Sequence, residues 1–267
     1  MNSNHVKSQQ EIELMRESGK LLAQVFSELD RFVVAGRSTL EINDFVENYI
    51  VEELQARPSS KGQYGYEYVL NSSVNDVVCH GVPSAAKKLK SGDIVNIDIT
   101  LEKNGYIADS SKMYLIGQVS PVARRLVDVT YQAMWKGIET VKPGATLGDI
   151  GHAIQTHARK HGFSVVREYC GHGIGQQMHE EPQVLHFGEP KTGQALVAGM
   201  TFTIEPMINQ GTHKTKMKKD GWTVVTRDKR LSAQWEHTIL VTQNGYEVLT
   251  LRSEEICEIT PEFRKTN

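Results

Sequence analysis

Apolar residues recur at helical spacing near the start of the chain: Leu14, Leu21, Leu22, Val25, Phe26 and Leu29, with Ser18 on the same face. Ser8-Gln9-Gln10-Glu11 precedes them and reads as a capping box, in which serine and glutamate satisfy each other's end amides. Thr39 starts a second helix with Ile42, Phe45, Val46, Tyr49 and Ile50 on its buried side. Residues 58–75 are rich in Gly, Ser and Tyr and predict a loop with short strands. The period then changes to two. Over 93–101, Asn96, Asp98 and Thr100 share one face, and Val95, Ile97, Ile99 and Leu101 the other. Asn104-Gly105 is a strong hairpin signal, because both positions tolerate positive φ. A two-residue turn there sets Thr100 opposite Asp109 and makes Asp98 its same-face diagonal neighbour. Diagonal positions lie roughly 7–8 Å apart, a spacing at which two carboxylates can flank a pair of metal ions.

The second half repeats this plan. Helices at about 121–140 and 146–161 lead to strands near 164–170, 200–207, 222–227 and 234–242. Ser91-Gly92-Asp93 to Asp98 resembles Ala198-Gly199-Met200 to Glu205, and the offset from Asp98 to Glu205 is 107 residues. The same 107 separates Gly92 from Gly199 and Thr39 from Thr146. A shared offset predicts an internal duplication, roughly 10–120 and 121–250, within a single catalytic domain over 1–267. Asp109 and Glu236 are 127 residues apart, so the second half carries 20 extra residues around 208–230. That insertion holds His213, Lys214, Lys216, Lys218 and Lys219.

Composition narrows the class. At 267 residues and 39% hydrophobic, the chain can bury one large core or two intimate ones. A net charge of −2 gives no global basic field for DNA. Mean hydropathy is −0.39, and no apolar run approaches the roughly 20 residues that span a bilayer. The polar Met1–Gln10 stretch lacks a signal-peptide core, and Cys79, Cys170 and Cys257 are odd in number and widely spaced. A disulfide framework is not expected; a reducing, cytoplasmic setting is.

The candidate ligands are Asp98, Asp109, His172, Glu205 and Glu236. A lone strand aspartate is more often solvated or capping, so the duplication is what singles out Asp98 and Glu205. Four carboxylates in one buried site would raise each other's pKa unless cations neutralise them. Two divalent ions would do so. Oxygen-rich ligation with one imidazole suits Mn, Fe(II) or Co, with Zn an option, and such ions support hydrolysis. In Gly171-His172-Gly173-Ile174-Gly175, the glycines allow close approach to the imidazole.

Cys79-His80-Gly81-Val82-Pro83, Asp109-Ser110-Ser111-Lys112-Met113, Glu168 to Gly175, His179-Glu180-Glu181-Pro182, Thr203 to Met207 and Gln234 to Thr238 together resemble type I methionine aminopeptidase, from about residue 8 to 252. The resemblance implies an α/β (α+β) pita-bread fold: two pseudo-symmetric halves, a curved antiparallel sheet and outer helices. It implies hydrolytic removal of the initiator methionine from nascent chains with a small second residue, by way of a metal-bridging water. It makes the five residues above the ligands of two metals, places His80 at the scissile amide and His179 at the carbonyl oxygen, and gives Glu205 the proton shuttle. Asn75, Val77 and Ser232 match a monovalent-cation site for Na or K. His237 falls on the opposite strand face from Glu236 and reads as structural.

Tyr66 and Trp222 match the family's methionine pocket, while Met178 stands where phenylalanine is common. Ser60, Gln63 and Asn71 replace a cysteine, a tyrosine and a cysteine or similar small residue. Methionine stays favoured, since Tyr66, Trp222 and Met178 can contact a thioether. A buried Gln63 or Asn71 needs hydrogen-bond partners, or it weakens apolar binding. The resemblance also implies a monomer. The basic 208–230 segment reads as a solvated hairpin or as a contact to the ribosome. Other readings are an aminopeptidase of altered or broader specificity, an Xaa-Pro peptidase of the same fold, and a pita-bread binding module without catalysis.

Overall fold

The computed structural model describes residues 6–259. Residues 1–5 and the side chain of Cys257 lie outside this description. Helix α1 spans Gln9–Leu29, α2 Thr39–Asn48, α3 Pro121–Ile138, α4 Leu147–Lys160 and α5 Ser253–Ile259. The α1 capping box forms as expected between Ser8 and Glu11. Helix α2 is capped by Ser38, whose partner is Glu41, and Thr39 is its first helical residue. In the second half Thr146 is itself the cap of α4, with Asp149 as partner. Thr39 and Thr146 therefore share the offset but not the role. The cap has moved one position because Thr39 turns its hydroxyl to the Ser84 carbonyl instead.

Each half has its own core. In the first, Leu22, Val25, Phe26 and Leu29 of α1 and Ile42 and Val46 of α2 close over Val95, Ile97, Ile99 and Leu101. In the second, Leu126, Ala133 and Met134 of α3 and Ile150 and Ile154 of α4 close over Phe202, Ile204 and Ile239. These side chains are almost fully buried; each such aliphatic or aromatic group stabilises by about 1.5–3 kcal/mol relative to exposure.

In the first half, the strand Ile94–Lys103 lies between Leu70–Val74 and Tyr106–Leu115, all antiparallel. Thr100 faces Asp109 and Asp98 faces Ser111, the register set by a turn with positive φ at both Asn104 and Gly105. In the second half, Thr201–Ile204 lies between Gly171–Gly173 and His237–Val241, with Glu180–Val184 and Tyr246–Val248 at the edges. The two sheets touch at a bridge between Ser111 and Glu236.

Of the strands expected in the second half, one is short and two are broken. Near 164–170 only Ser164–Val165 is a strand, and Arg167 and Glu168 beyond it are exposed. Thr201–Ile204 and Met207–Asn209 are split at Glu205-Pro206, where proline has no amide to donate. Ser232–Gln234 and His237–Val241 are split at Trp235-Glu236. After the last two breaks the chain passes into a different sheet, and Glu205 and Glu236 occupy those crossings. Thr215–Met217 pairs with Val224–Thr226 as a hairpin, with Lys214, Lys216, Lys218 and Lys219 exposed.

Candidate metal centre

Asp98 and Asp109 come from the two strands of the first hairpin, His172 from the Gly171–Gly173 strand, and Glu205 and Glu236 from the two crossings. All five line one cavity of about 550 Å³. Ligand atoms of Asp109, His172 and Glu236 lie within 4.8 Å of one another. The Nε2 atom of His172 is 3.5 Å from Glu205 and 3.9 Å from Asp109. Its Nδ1 donates to its neighbour's carbonyl, Gly173 O, at 3.0 Å, which leaves the Nε2 lone pair turned toward the carboxylates. The flanking glycines are required by contact: a Cβ on Gly173 would sit 2.1 Å from the Glu181 carbonyl, and one on Gly171 2.4 Å from that of Thr203.

The electrostatics are those of a cation site. Asp109 Oδ1 and both carboxylate oxygens of Glu236 are buried with no hydrogen-bond partner among the described residues. Burial pushes Asp98 up to about 6 and, helped by the Asp98 charge, Glu205 up to about 8. Burial and the neighbouring carboxylates hold Asp109 and Glu236 well above the usual carboxylate range. His172 is pushed down to about 4, by burial first and His179 second. Buried oxygens that neither solvent nor protein satisfies, with one neutral imidazole among them, fit divalent cations.

Neighbouring groups fix the carboxylates. Glu205 accepts from Thr203 Oγ1 at 2.8 Å and from Gln234 Nε2 at 3.3 Å, and its amide donates to His186 Nε2 at 3.1 Å. Burial pushes His186 down to about 3, so it is a neutral acceptor. Behind Glu236, fully buried Arg252 donates to Ser110 Oγ at 3.1 Å, and Ser110 donates to the Glu236 carbonyl at 2.7 Å. Arg252 also pairs with Glu255 and contacts His237 Nε2 at 3.2 Å. His237 is thus enclosed behind the strand, away from the cavity, as its face predicts.

His80, His179, Tyr66, Met178 and Trp222 line the same cavity. The His179 ring stands edge-on to that of His172 at 4.4 Å, and burial lowers the pKa of both His179 and His80. His80, at a left-handed φ of 54°, meets Tyr169 edge-on at 5.6 Å. Tyr66 and Trp222 pack at 4.9 Å, and the Tyr66 hydroxyl is spent on the Leu70 carbonyl. Two of the polar replacements have partners: Asn71 Nδ2 donates to Asp98, and the hydroxyls of Ser60 and Thr100 are 2.6 Å apart. At the other candidate site, the Ser232 amide donates to the Asn75 carbonyl, and the Ser232 hydroxyl is buried without a partner. Val77 pairs with Val225 on a neighbouring strand.

The sequence pattern assigns no role to Tyr64, Gln234, His186 or Arg252. Tyr64 is exposed at the cavity mouth, has φ 51°, and stacks over His179 at 6.3 Å. Its position between Gly62 and Gly65 was the available signal, since paired glycines mark a turn with unusual dihedrals. The other three act through tertiary contacts that no local pattern encodes.

Residues 13–243 match the metallopeptidase family M24. The methionine aminopeptidase of Salmonella typhimurium is 49% identical over 250 residues, 94% of this chain and 95% of that one. A crystal structure of methionine aminopeptidase from Rickettsia prowazekii matches with a TM-score of 0.90 and 48% identity, over 92% of this chain and 99% of that one. Methionine aminopeptidase from Thermotoga maritima gives a TM-score of 0.90 at 40% identity, over 92% and 98% of the two chains.

Proposed function

This chain belongs to metallopeptidase family M24 and has the pita-bread fold, and from that premise we propose that it is a methionine aminopeptidase acting on the N-termini of nascent proteins. The observation that carries the reading is the convergence of four carboxylates, three of them buried, and one imidazole beside a pocket walled by Tyr66, Trp222 and Met178. Asp98, Asp109, His172, Glu205 and Glu236 would hold two divalent ions, drawn from Co, Mn, Fe(II) and Zn. Bound there, the ions would supply Lewis acidity toward the scissile carbonyl and lower the pKa of the attacking water.

The chain's own groups do the rest. The thioether of the first residue packs on Tyr66, Trp222 and Met178. The neutral ring of His179 donates to the carbonyl oxygen as charge develops on it, an effect strengthened by exclusion of water. His80 contacts the scissile amide. As the C–O bond forms, Glu205 accepts the water's proton and returns it to the leaving amine as the C–N bond breaks. Thr203 and Gln234 hold both oxygens of Glu205 for that task.

The two halves act as one catalytic domain in a cytoplasmic monomer. Among the described residues no helix is long and apolar enough to cross a membrane, which agrees with a cytoplasmic setting. The Asn75 and Val77 carbonyls with the unpartnered Ser232 hydroxyl form a site for Na or K. The exposed lysines of the Thr215–Met217 hairpin offer a contact to ribosomal RNA; reversing their charge should weaken co-sedimentation with ribosomes. Unchanged binding at low salt would remove that contact.

The deciding experiment incubates the EDTA-treated protein, alone and with Mn, Co or Fe(II), with Met-Ala-Ser, Met-Gly-Met-Met, leucyl and Xaa-Pro peptides. Metal-dependent release of methionine alone is expected. Release of other residues would keep a metallopeptidase and refute the methionine assignment. No cleavage with any metal would favour the binding-module reading.

A further inference from the structure

Asn71 stands where the resembling family commonly has cysteine, and it lines the cavity with Tyr66 and Asp98. On the Leu70–Val74 strand it is the register partner of Asp98. Its Nδ2 donates to Asp98 Oδ2 at 3.4 Å. One step along the same face, Ser60 bonds Thr100 in the same way. On its other side Asp98 is opposite Ser111, whose hydroxyl accepts from Asn96 at 3.0 Å. The amide that reaches Asp98 from a neighbouring strand is therefore that of Asn71.

We propose that Asn71 is a positioning residue for Asp98, holding one carboxylate oxygen so that the side chain is pre-set as a metal ligand. This rests on the reading of Asp98 as a ligand. A donor on one oxygen fixes the rotamer across the pleat, and it stabilises the ionised form that a cation requires. The same bond takes the Asn71 amide away from the methionine pocket, so the polar replacement does not leave a bare donor against a thioether. Asn71 thus links the pocket to the metal through one side chain. Outer partners of metal ligands are worth about 10–100-fold in affinity, and a 3.4 Å contact belongs at the lower end of that span.

The test uses the full chain, freed of metal with EDTA and titrated with Mn(II). Free Mn(II) is read by its electron paramagnetic resonance, and Co(II) loading by its visible spectrum. Asn71→Leu keeps the volume and removes the donor. Mn(II) affinity should fall about tenfold and the Co(II) spectrum should change. Asn71→Ala should weaken Mn(II) likewise, which covers distortion by leucine. Ser60→Ala should leave metal affinity unchanged. Parental Mn(II) affinity and an unaltered Co(II) spectrum in both Asn71 variants would overturn the inference. If the parent chain itself bound no Mn(II), the ligand reading would fall instead, and that result is distinguishable.

Discussion

Removing metal should make this protein's stability fall as pH rises, in a window where most proteins are flat. Glu205 is held at about 8, and Asp109 and Glu236 are well above the carboxylate range. In the unfolded chain all three ionise near the ordinary value. Between pH 7 and 8 the metal-free folded state therefore binds more protons than the unfolded state, and stability must fall with pH. Groups shifted the other way do not interfere. His172 and His186, held at about 4 and 3, carry no proton in the fold, and above pH 7 they carry few when unfolded. Below about pH 6.5 those histidines oppose the carboxylates, so the effect is cleanest above neutrality.

Each proton retained costs about 1.4 kcal/mol per pH unit. One to three retained protons give a loss of about 1 to 4 kcal/mol from pH 7 to 8. For a chain of this size each kcal/mol shifts Tm by about 2–4 °C. The assay is urea unfolding of EDTA-treated protein at half-unit pH steps, followed by tryptophan fluorescence. With saturating Mn(II) the fall should disappear, because a bound ion leaves the same oxygens unprotonated in the fold as they are in the unfolded chain. Glu205→Gln should flatten part of the metal-free slope. A metal-free profile that is level or rising from pH 7 to 8 would refute the charge argument, whatever the enzyme's activity.

Three further outcomes follow from the geometry. Arg252→Met should cost about 3–5 kcal/mol in urea unfolding, because buried Glu255 is left without its cation; a loss under 1 kcal/mol would show that the pair is not needed. His179→Ala should lower kcat about 10²–10³-fold at unchanged metal content, and an unaltered kcat would remove His179 from the carbonyl. Gly173→Ala drives a Cβ to 2.1 Å from the Glu181 carbonyl, so it should destabilise by about 1–3 kcal/mol and weaken Mn(II) binding; normal values for both would show that the strand can yield.

The first hairpin was legible because its information is local. The alternation over 93–101 and the Asn104-Gly105 turn together determine that Thr100 faces Asp109, and the structure has that register. The two cores follow from helical spacing in the same way. The strand breaks at Glu205-Pro206 and Trp235-Glu236 were not legible, although they deliver two of the five candidate ligands. A period-two pattern runs unaltered through a crossing from one sheet to another, because the alternation does not say which neighbour supplies the hydrogen bonds. The same limit hid Arg252 and His186. Arg252 is 142 residues along the chain from Ser110 and His186 is 19 from Glu205, and neither spacing is a helical or strand period. The offset of 107 was informative about the acids yet misleading about the caps, since Ser38 had displaced Thr39 from the capping position.

The bridge between Ser111 and Glu236 also has a consequence for timing during synthesis. A ribosome delivers the chain from its N-terminus, and the first half can close its own core as it emerges. At that stage Asp98 and Asp109 stand on neighbouring strands of the first sheet, while His172, Glu205 and Glu236 have yet to be made. The closure at Glu236 then needs Arg252, which lies in the last few residues described. A cation can find its full set of oxygens only once Glu236, and the Arg252 behind it, have emerged. Metal competence therefore waits on the second half, long after the first half has closed its own core.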